Sequence, residues 1–160
     1  MWLAFLLKGL PQELAILITA AAPVVEVRAA VPMGIIYFGM DPLKVVLLAV
    51  LGSILPILPL LWFLNTLTER LRKIKTFDKF FEWLFTRTRA KSKIIEEFEL
   101  VGLTLFVAIP LPGTGVWTGC IAAYLLGLPW LPTFICATIG TTVASLILWA
   151  ASAGIINFFL

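Results

Sequence analysis

Pro110-Leu111-Pro112-Gly113-Thr114-Gly115-Val116-Trp117-Thr118-Gly119, PLPGTGVWTG, interrupts a tract that from residue 100 to residue 160 contains no Asp, Glu, Lys or Arg. A helix in hydrocarbon satisfies its own backbone, and two prolines with three glycines in ten residues cannot sustain that bonding. Irregular backbone survives at membrane depth only where it is buried in protein or lines a water-filled cavity. The stretch therefore predicts a membrane protein with a broken helix at a translocation site.

The rest of the chain agrees. Of its 160 residues 61% are hydrophobic and 13% charged, outside the range of a soluble domain. With each crossing needing roughly 20 apolar residues, the length predicts a single membrane domain over 1–160 and leaves no room for a separate soluble one. Outside residues 67–99 the only charges are Lys8, Glu13, Glu26, Arg28, Asp41 and Lys44. Residues 67–99 hold nine Lys or Arg against six Asp or Glu, an excess that marks the cytoplasmic side. Mixed acids in that connector favour membrane lipids over nucleic acid as its partner.

Cys120 and Cys136 lack metal-like spacing and read as packing residues, and the chain has no His. No metal or cofactor is expected. The apolar stretch before Ala20, Ala21 and Ala22 resembles a signal peptide, but charge is nearly missing ahead of it and the apolar pattern resumes after Pro23, so it is expected to stay in the mature protein.

Residues 10–22 and 29–40 are apolar runs too short to span, and between them lie Pro23, Glu26 and Arg28. They predict a re-entrant helical hairpin with a polar tip. Residues 43–66 read as one full span kinked by Pro56 and Pro59. The connector then carries Leu67, Leu71, Ile74, Phe77, Phe81 and Leu84 at helical spacing, a basic amphipathic helix. Residues 101–127 repeat the hairpin around PLPGTGVWTG, and 130–157 form the last span. Gly39 to Gly52 and Gly127 to Gly140 have the same separation, with Leu43 matching Leu131 and Ala49 matching Ala137. The fold expected is an all-α integral membrane protein. It consists of an inverted repeat of re-entrant hairpin plus transmembrane helix (1–66 and 100–160) joined by the amphipathic connector (67–99). By parity both termini lie outside the cell.

Within it, Glu26 and Arg28 are the sharpest candidates, since an ionisable group inside a membrane usually faces a cavity, partner or ligand. Arg28 suits a phosphate or carboxylate, and Glu26 suits a proton or the task of holding Arg28. An internal salt bridge fixing the tip is the competing reading. Gly113, Thr114 and Gly115 would present amides at the start of a half-helix, favourable to an anion, or Thr114 simply caps that helix. Trp117 packs the tip or stacks on a ligand. GTGVWTG is neither a dinucleotide fingerprint, since Thr118 stands where the third glycine belongs, nor a P-loop. No nucleophile motif or carboxylate pair is present, so no enzyme activity is expected.

Together VEVRAAVPMGI at 25–35, LGSILP at 51–56 and FVAIPLPGTGVWTG at 106–119 resemble the small multidrug export family of the DedA superfamily, related to the VTT-domain lipid scramblases. The resemblance covers nearly the whole chain. Ala29 and Ser53 depart from the commoner Gly and Asn, and the chain lacks the arginine that DedA relatives often carry near the second tip. The resemblance implies a transporter or scramblase of a prokaryotic cytoplasmic membrane, with Glu26, Arg28, Pro32, Pro110, Pro112, Gly113, Thr114, Gly115, Trp117, Thr118 and Gly119 at the tips. Its implied cargo is an anionic lipid headgroup, either polyprenyl phosphate or phospholipid. The alternatives are a proton-coupled exporter of small amphipathic compounds and a non-transporting assembly factor acting through the connector. So short a chain is expected to form a homo-oligomer, with small residues such as Gly140 and Ala144 suited to close packing.

Overall fold

The computed structural model of the chain describes residues 10–71, 93–111 and 113–159. Helix α1 is Gln12–Ala21, and α2 is Glu26–Pro32, prolonged by a π-type turn over Met33–Tyr37. Then follow α3 (Pro42–Ile54), α4 (Ile57–Leu71), α5 (Lys93–Ala108), α6 (Val116–Leu125) and α7 (Trp130–Phe159). No strand occurs among the described residues. Most of the connector expected to be an amphipathic helix, residues 72–92, lies outside them, as does Pro112.

Local chemistry sets the boundaries. Pro32 brings no N–H to the ladder, and the wider turn after it closes with Phe38 N donating to Met33 O at 3.0 Å, five residues back. Asp41 caps α3 by accepting from Lys44 N at 3.0 Å, with Pro42 at the first helical position. The kink expected inside 43–66 falls at a two-residue turn between α3, which stops at Ile54, and α4, which starts at Ile57, beside donor-less Pro56, while Leu55 stays helical and its N–H still bonds Leu51 O. Along α7 the hydroxyls of Thr138, Thr142 and Ser152 bond carbonyls four residues earlier at 2.7 to 2.8 Å, which satisfies these three side chains within an apolar helix.

Two stretches, Pro42–Thr68 and Trp130–Gly154, are long and apolar enough to cross a membrane. The ten residues of α1 and of α6 are not, since each measures roughly 15 Å against a hydrocarbon layer of about 30 Å. At the start of α1, Glu13 accepts from Lys44 of α3 at 2.8 Å with both side chains about half exposed. That pair sets the first turns of the two helices level with each other.

The same pairing recurs in both halves: α1 packs on α3 and α5 on α7, while α2 also meets α7 and α6 also meets α4. Gly39 and Gly127, at φ +61° and +71°, turn the chain ahead of α3 and α7. Gly52 and Gly140 let those helices close in. A Cβ at Gly52 would stand 2.5 Å from Leu17 O, and one at Gly140 2.8 Å from Thr104 O. Gly140 and buried Ala144, which the sequence suited to close helix packing, pack against other helices of the chain.

Burial falls into two cores. One gathers Ile16, Ala20, Val27, Ala30, Val31, Ile35, Val45, Ala49 and Ala144 from α1, α2, α3 and α7. The other gathers Ile57, Leu103, Val107, Val116, Cys120, Ala123 and Ala137 from α4 to α7. The polar tips meet between them.

Candidate functional site

The first tip is the turn between α1 and α2, where Glu26 takes φ +46°, the one left-handed non-glycine among the described residues. Such a conformation costs on the order of 1–3 kcal/mol and persists only when the surroundings enforce it. Here the enforcement is visible. Glu26 is 3% exposed, and its carboxylate accepts from Val116 N at 3.3 Å through Oε2 and from Trp117 N at 3.2 Å through Oε1. Those are the first two amides of α6, which have no partner within the helix and where the helix dipole favours a negative charge.

Arg28 completes the join from the same tip. Its Nη1 donates to Glu26 Oε2 at 3.2 Å and its Nη2 to Thr114 Oγ1 at 2.8 Å. The planar fork thereby holds a residue of each tip at once. Thr114 Oγ1 in turn has its proton directed at two carbonyls of its own loop, Ile109 O at 2.7 Å and Leu111 O at 2.9 Å. A third tie runs the other way, from the Trp117 indole Nε1 to Ala21 O at the end of α1, 3.2 Å.

The backbone of the second tip is shaped for this contact. Pro110 follows the end of α5, Gly113 turns the chain at φ +84°, and Gly115 N donates to Thr118 Oγ1 at 3.0 Å. A Cβ at Gly115 would run into the Glu26 carboxylate, so the glycine is required by close approach. Gly119 brings α6 onto α5, where a Cβ would stand 2.8 Å from Val107 Cγ2.

The structure thus brings together Glu26, Arg28, Thr114, Gly115 and Trp117. Pro110, Gly113, Thr118 and Gly119 shape the second tip around them, and Pro32 sits a turn further on at the head of the π-type turn. The anion at the start of α6 is the chain's own carboxylate, and the amides that hold it belong to Val116 and Trp117 rather than to Gly113, Thr114 and Gly115. Sequence reasoning missed Val116 and the Ala21 carbonyl because both act through the backbone, about ninety residues from their partners. Arg28 Nε is buried without a partner among the described residues, so this N–H of the guanidinium is unused.

No group of three or more His, Cys, Asp or Glu able to hold a metal ion occurs among the described residues. What the arrangement offers is a charge-neutral clasp between two tips, held by one carboxylate that binds two amides and a guanidinium. No curated protein and no solved structure matches the chain. A family model described as "Putative small multi-drug export protein" matches residues 26–147, beginning at Glu26 and covering both Arg28 and the whole second tip. With well over half of its length matched, and with two helices able to cross a membrane, the chain belongs to the small multi-drug export protein family.

Proposed function

We propose that the chain exports small amphipathic molecules across the membrane in exchange for protons, and that Glu26 is the group that takes the proton. The observation that carries this is that one buried carboxylate joins the two tips. Ionised, Glu26 offers acceptors for Val116 N, Trp117 N and Arg28 together. Protonated, it loses its charge and turns part of its acceptor capacity into a donor, so it cannot serve all three. The tips then let go.

The reading takes α1 with α2 and α5 with α6 as re-entrant hairpins of an inverted repeat, entering from opposite faces. Its support is the short reach of α1 and α6, the pairing shared by both halves and the matched close approaches of Gly52 and Gly140. Two opposed half-spans of roughly 15 Å put the clasp near the midplane, where a gate separates the two sides. The basic connector is read as cytoplasmic.

The test is ethidium transport in proteoliposomes. Wild-type protein should move the dye only under an imposed pH gradient, and Glu26→Gln should reduce the rate at least twentyfold while still folding. A wild-type rate indifferent to the gradient, or a Glu26→Gln rate equal to wild type, would overturn the proposal.

A second reading, translocation of an anionic lipid headgroup, is favoured by the unpartnered Nε of Arg28, a donor suited to phosphate. It predicts gradient-independent movement of a fluorescent polyprenyl phosphate or phospholipid that Arg28→Gln abolishes. Lipid flux unchanged in Arg28→Gln would sink it.

A further inference from the structure

Away from the tips, Leu58, Leu61 and Trp62 of α4, Tyr124 of α6, Leu128 and Trp130 at the start of α7 enclose an open cavity of about 510 Å³. That volume lies within the roughly 300–1,000 Å³ of small-molecule sites. We infer that this cavity is a binding site for the aromatic body of a small cationic amphipath, the form in which the exported molecule is taken up. The inference rests on the export reading above.

The chemistry of the lining chooses the occupant. Leu58, Leu61 and Trp62 share one face of α4 by their three- and four-residue spacing. Two indoles and a phenol then converge on it from three different helices, and no lining residue carries a charge. Flat π faces favour a planar ring system and attract a cation at short range, whereas an acidic pocket would be needed to draw a cation in by charge alone. An acyl chain would gain nothing from the rings beyond what surrounding lipid gives it.

Position points the same way. Trp62 and Trp130 are 71% and 61% exposed and form the rim. Along α3 and α4, Leu58 to Trp62 follow Pro42 by roughly 24–30 Å of helix rise, close to the full hydrocarbon depth of about 30 Å. The cavity therefore opens near the membrane face opposite the Glu13–Lys44 pair, the face at which α4 runs into the connector. Indoles at that level sit where amphipaths partition, with rings in the acyl region and charge among headgroups.

The cavity also shares a helix with the clasp. Helix α6 gives its first amides to Glu26 and, at its other end, Tyr124 to the cavity wall. A ligand wedged against Tyr124 leans on the element that the carboxylate holds.

Binding of ethidium to the full chain in nanodiscs, read by dye fluorescence, tests the inference. Wild type should saturate, Trp62→Ala and Trp130→Ala should each weaken the affinity about tenfold, and Trp62→Phe should lose no more than about threefold. The phenylalanine variant keeps a ring and guards against a folding defect. Unchanged affinity in both alanine variants would overturn the inference. So would quenching of Trp62 and Trp130 by brominated phospholipid that saturating ethidium fails to relieve, since that result places a lipid chain in the cavity. The readout is binding, so the two failures separate. Glu26-dependent flux with unaltered dye affinity in the tryptophan variants refutes the cavity alone, and tryptophan-dependent binding with Glu26-independent flux refutes the proton reading alone.

Discussion

Gly115→Ala is the most direct perturbation of the clasp, because the backbone tolerates it and the carboxylate does not. Gly115 is in an extended conformation that any residue adopts, so the added methyl meets no backbone penalty. Its Cβ would stand 2.5 Å from Glu26 Cδ and 2.6 Å from Oε1, against 3.4 Å for ordinary contact. The carboxylate must retreat by roughly 1 Å, and bonds already 3.2 to 3.3 Å long then fail together. Two hydrogen bonds to a charged group at about 1.5–3 kcal/mol each set a gross loss of about 3–6 kcal/mol, of which the lower end is expected because Arg28 keeps its hold on the carboxylate. Loss of a glycine cap adds up to about 1 kcal/mol for a reason unrelated to Glu26. A double-mutant cycle with Glu26→Ala separates the two, since the methyl then fits in the space left by the carboxylate. Gly115→Ala should cost about 3–4 kcal/mol in the wild-type background and no more than about 1 kcal/mol beside Glu26→Ala. Buried Cys120 supplies the assay, as a thiol-reactive dye reports its exposure on heating. The expected drop is roughly 6–16 °C in the first background, at about 2–4 °C per kcal/mol for a chain of this size. Equal drops in both backgrounds would refute the clasp.

Three further outcomes follow from the same geometry. Arg28→Lys keeps the charge but has no planar fork to reach Glu26 Oε2 and Thr114 Oγ1 at once, so ethidium efflux should fall at least tenfold; a wild-type rate would show that the bridge is not needed. Gly52→Ala and Gly140→Ala drive a methyl into the backbone of the helix packed against each, and each should lose about 1–3 kcal/mol in the same melting assay, while Gly154→Ala, which faces open space, should not change the melting curve. Lys44→Ala breaks an exposed ion pair with Glu13 and should leave both melting and transport as they are, since such pairs contribute little; a lost transport rate would give this pair a role beyond the membrane surface.

How much of this was readable beforehand depended on whether a property is local. The break in the helix at PLPGTGVWTG follows from its own prolines and glycines; α5 ends at Ala108 and α6 starts at Val116, so the last four residues of the motif are already helical. The isolation of Glu26 and Arg28 among apolar residues singled them out, and the two form the internal salt bridge at the tip that was the competing reading of the pair. The matched spacings of Gly39 to Gly52 and Gly127 to Gly140 pointed to equivalent positions, and the members of each pair do equivalent things. What stayed hidden is the identity of the anion at the start of α6. Free amides at a helix start look the same whether a ligand or a side chain ninety residues away fills them, and only packing of α2 and α6 against a shared neighbour, α7, brings Glu26 there. The tie from Trp117 to Ala21 O was closed to the sequence for the same reason, because a backbone carbonyl carries no residue signature.

On the proposed reading, charge alone links the two candidate cargoes. With Glu26 ionised, the carboxylate, the guanidinium of Arg28 and the positive end of α6 come close to neutral, which is the condition for sitting in a low-dielectric layer. A proton on Glu26 removes the only negative member and leaves two positive ones facing each other across the joint. That state has two ways out: the tips part and water enters, or an anion takes the vacated place beside Val116 N, Trp117 N and Arg28. Proton entry and anion entry are then alternative neutralisations of one site. The difference is measurable, because inorganic phosphate should slow proton-driven ethidium export if an anion occupies the opened clasp and should leave it unchanged if water does. A phosphate effect that survives Arg28→Gln would show that the anion binds elsewhere and would break the link.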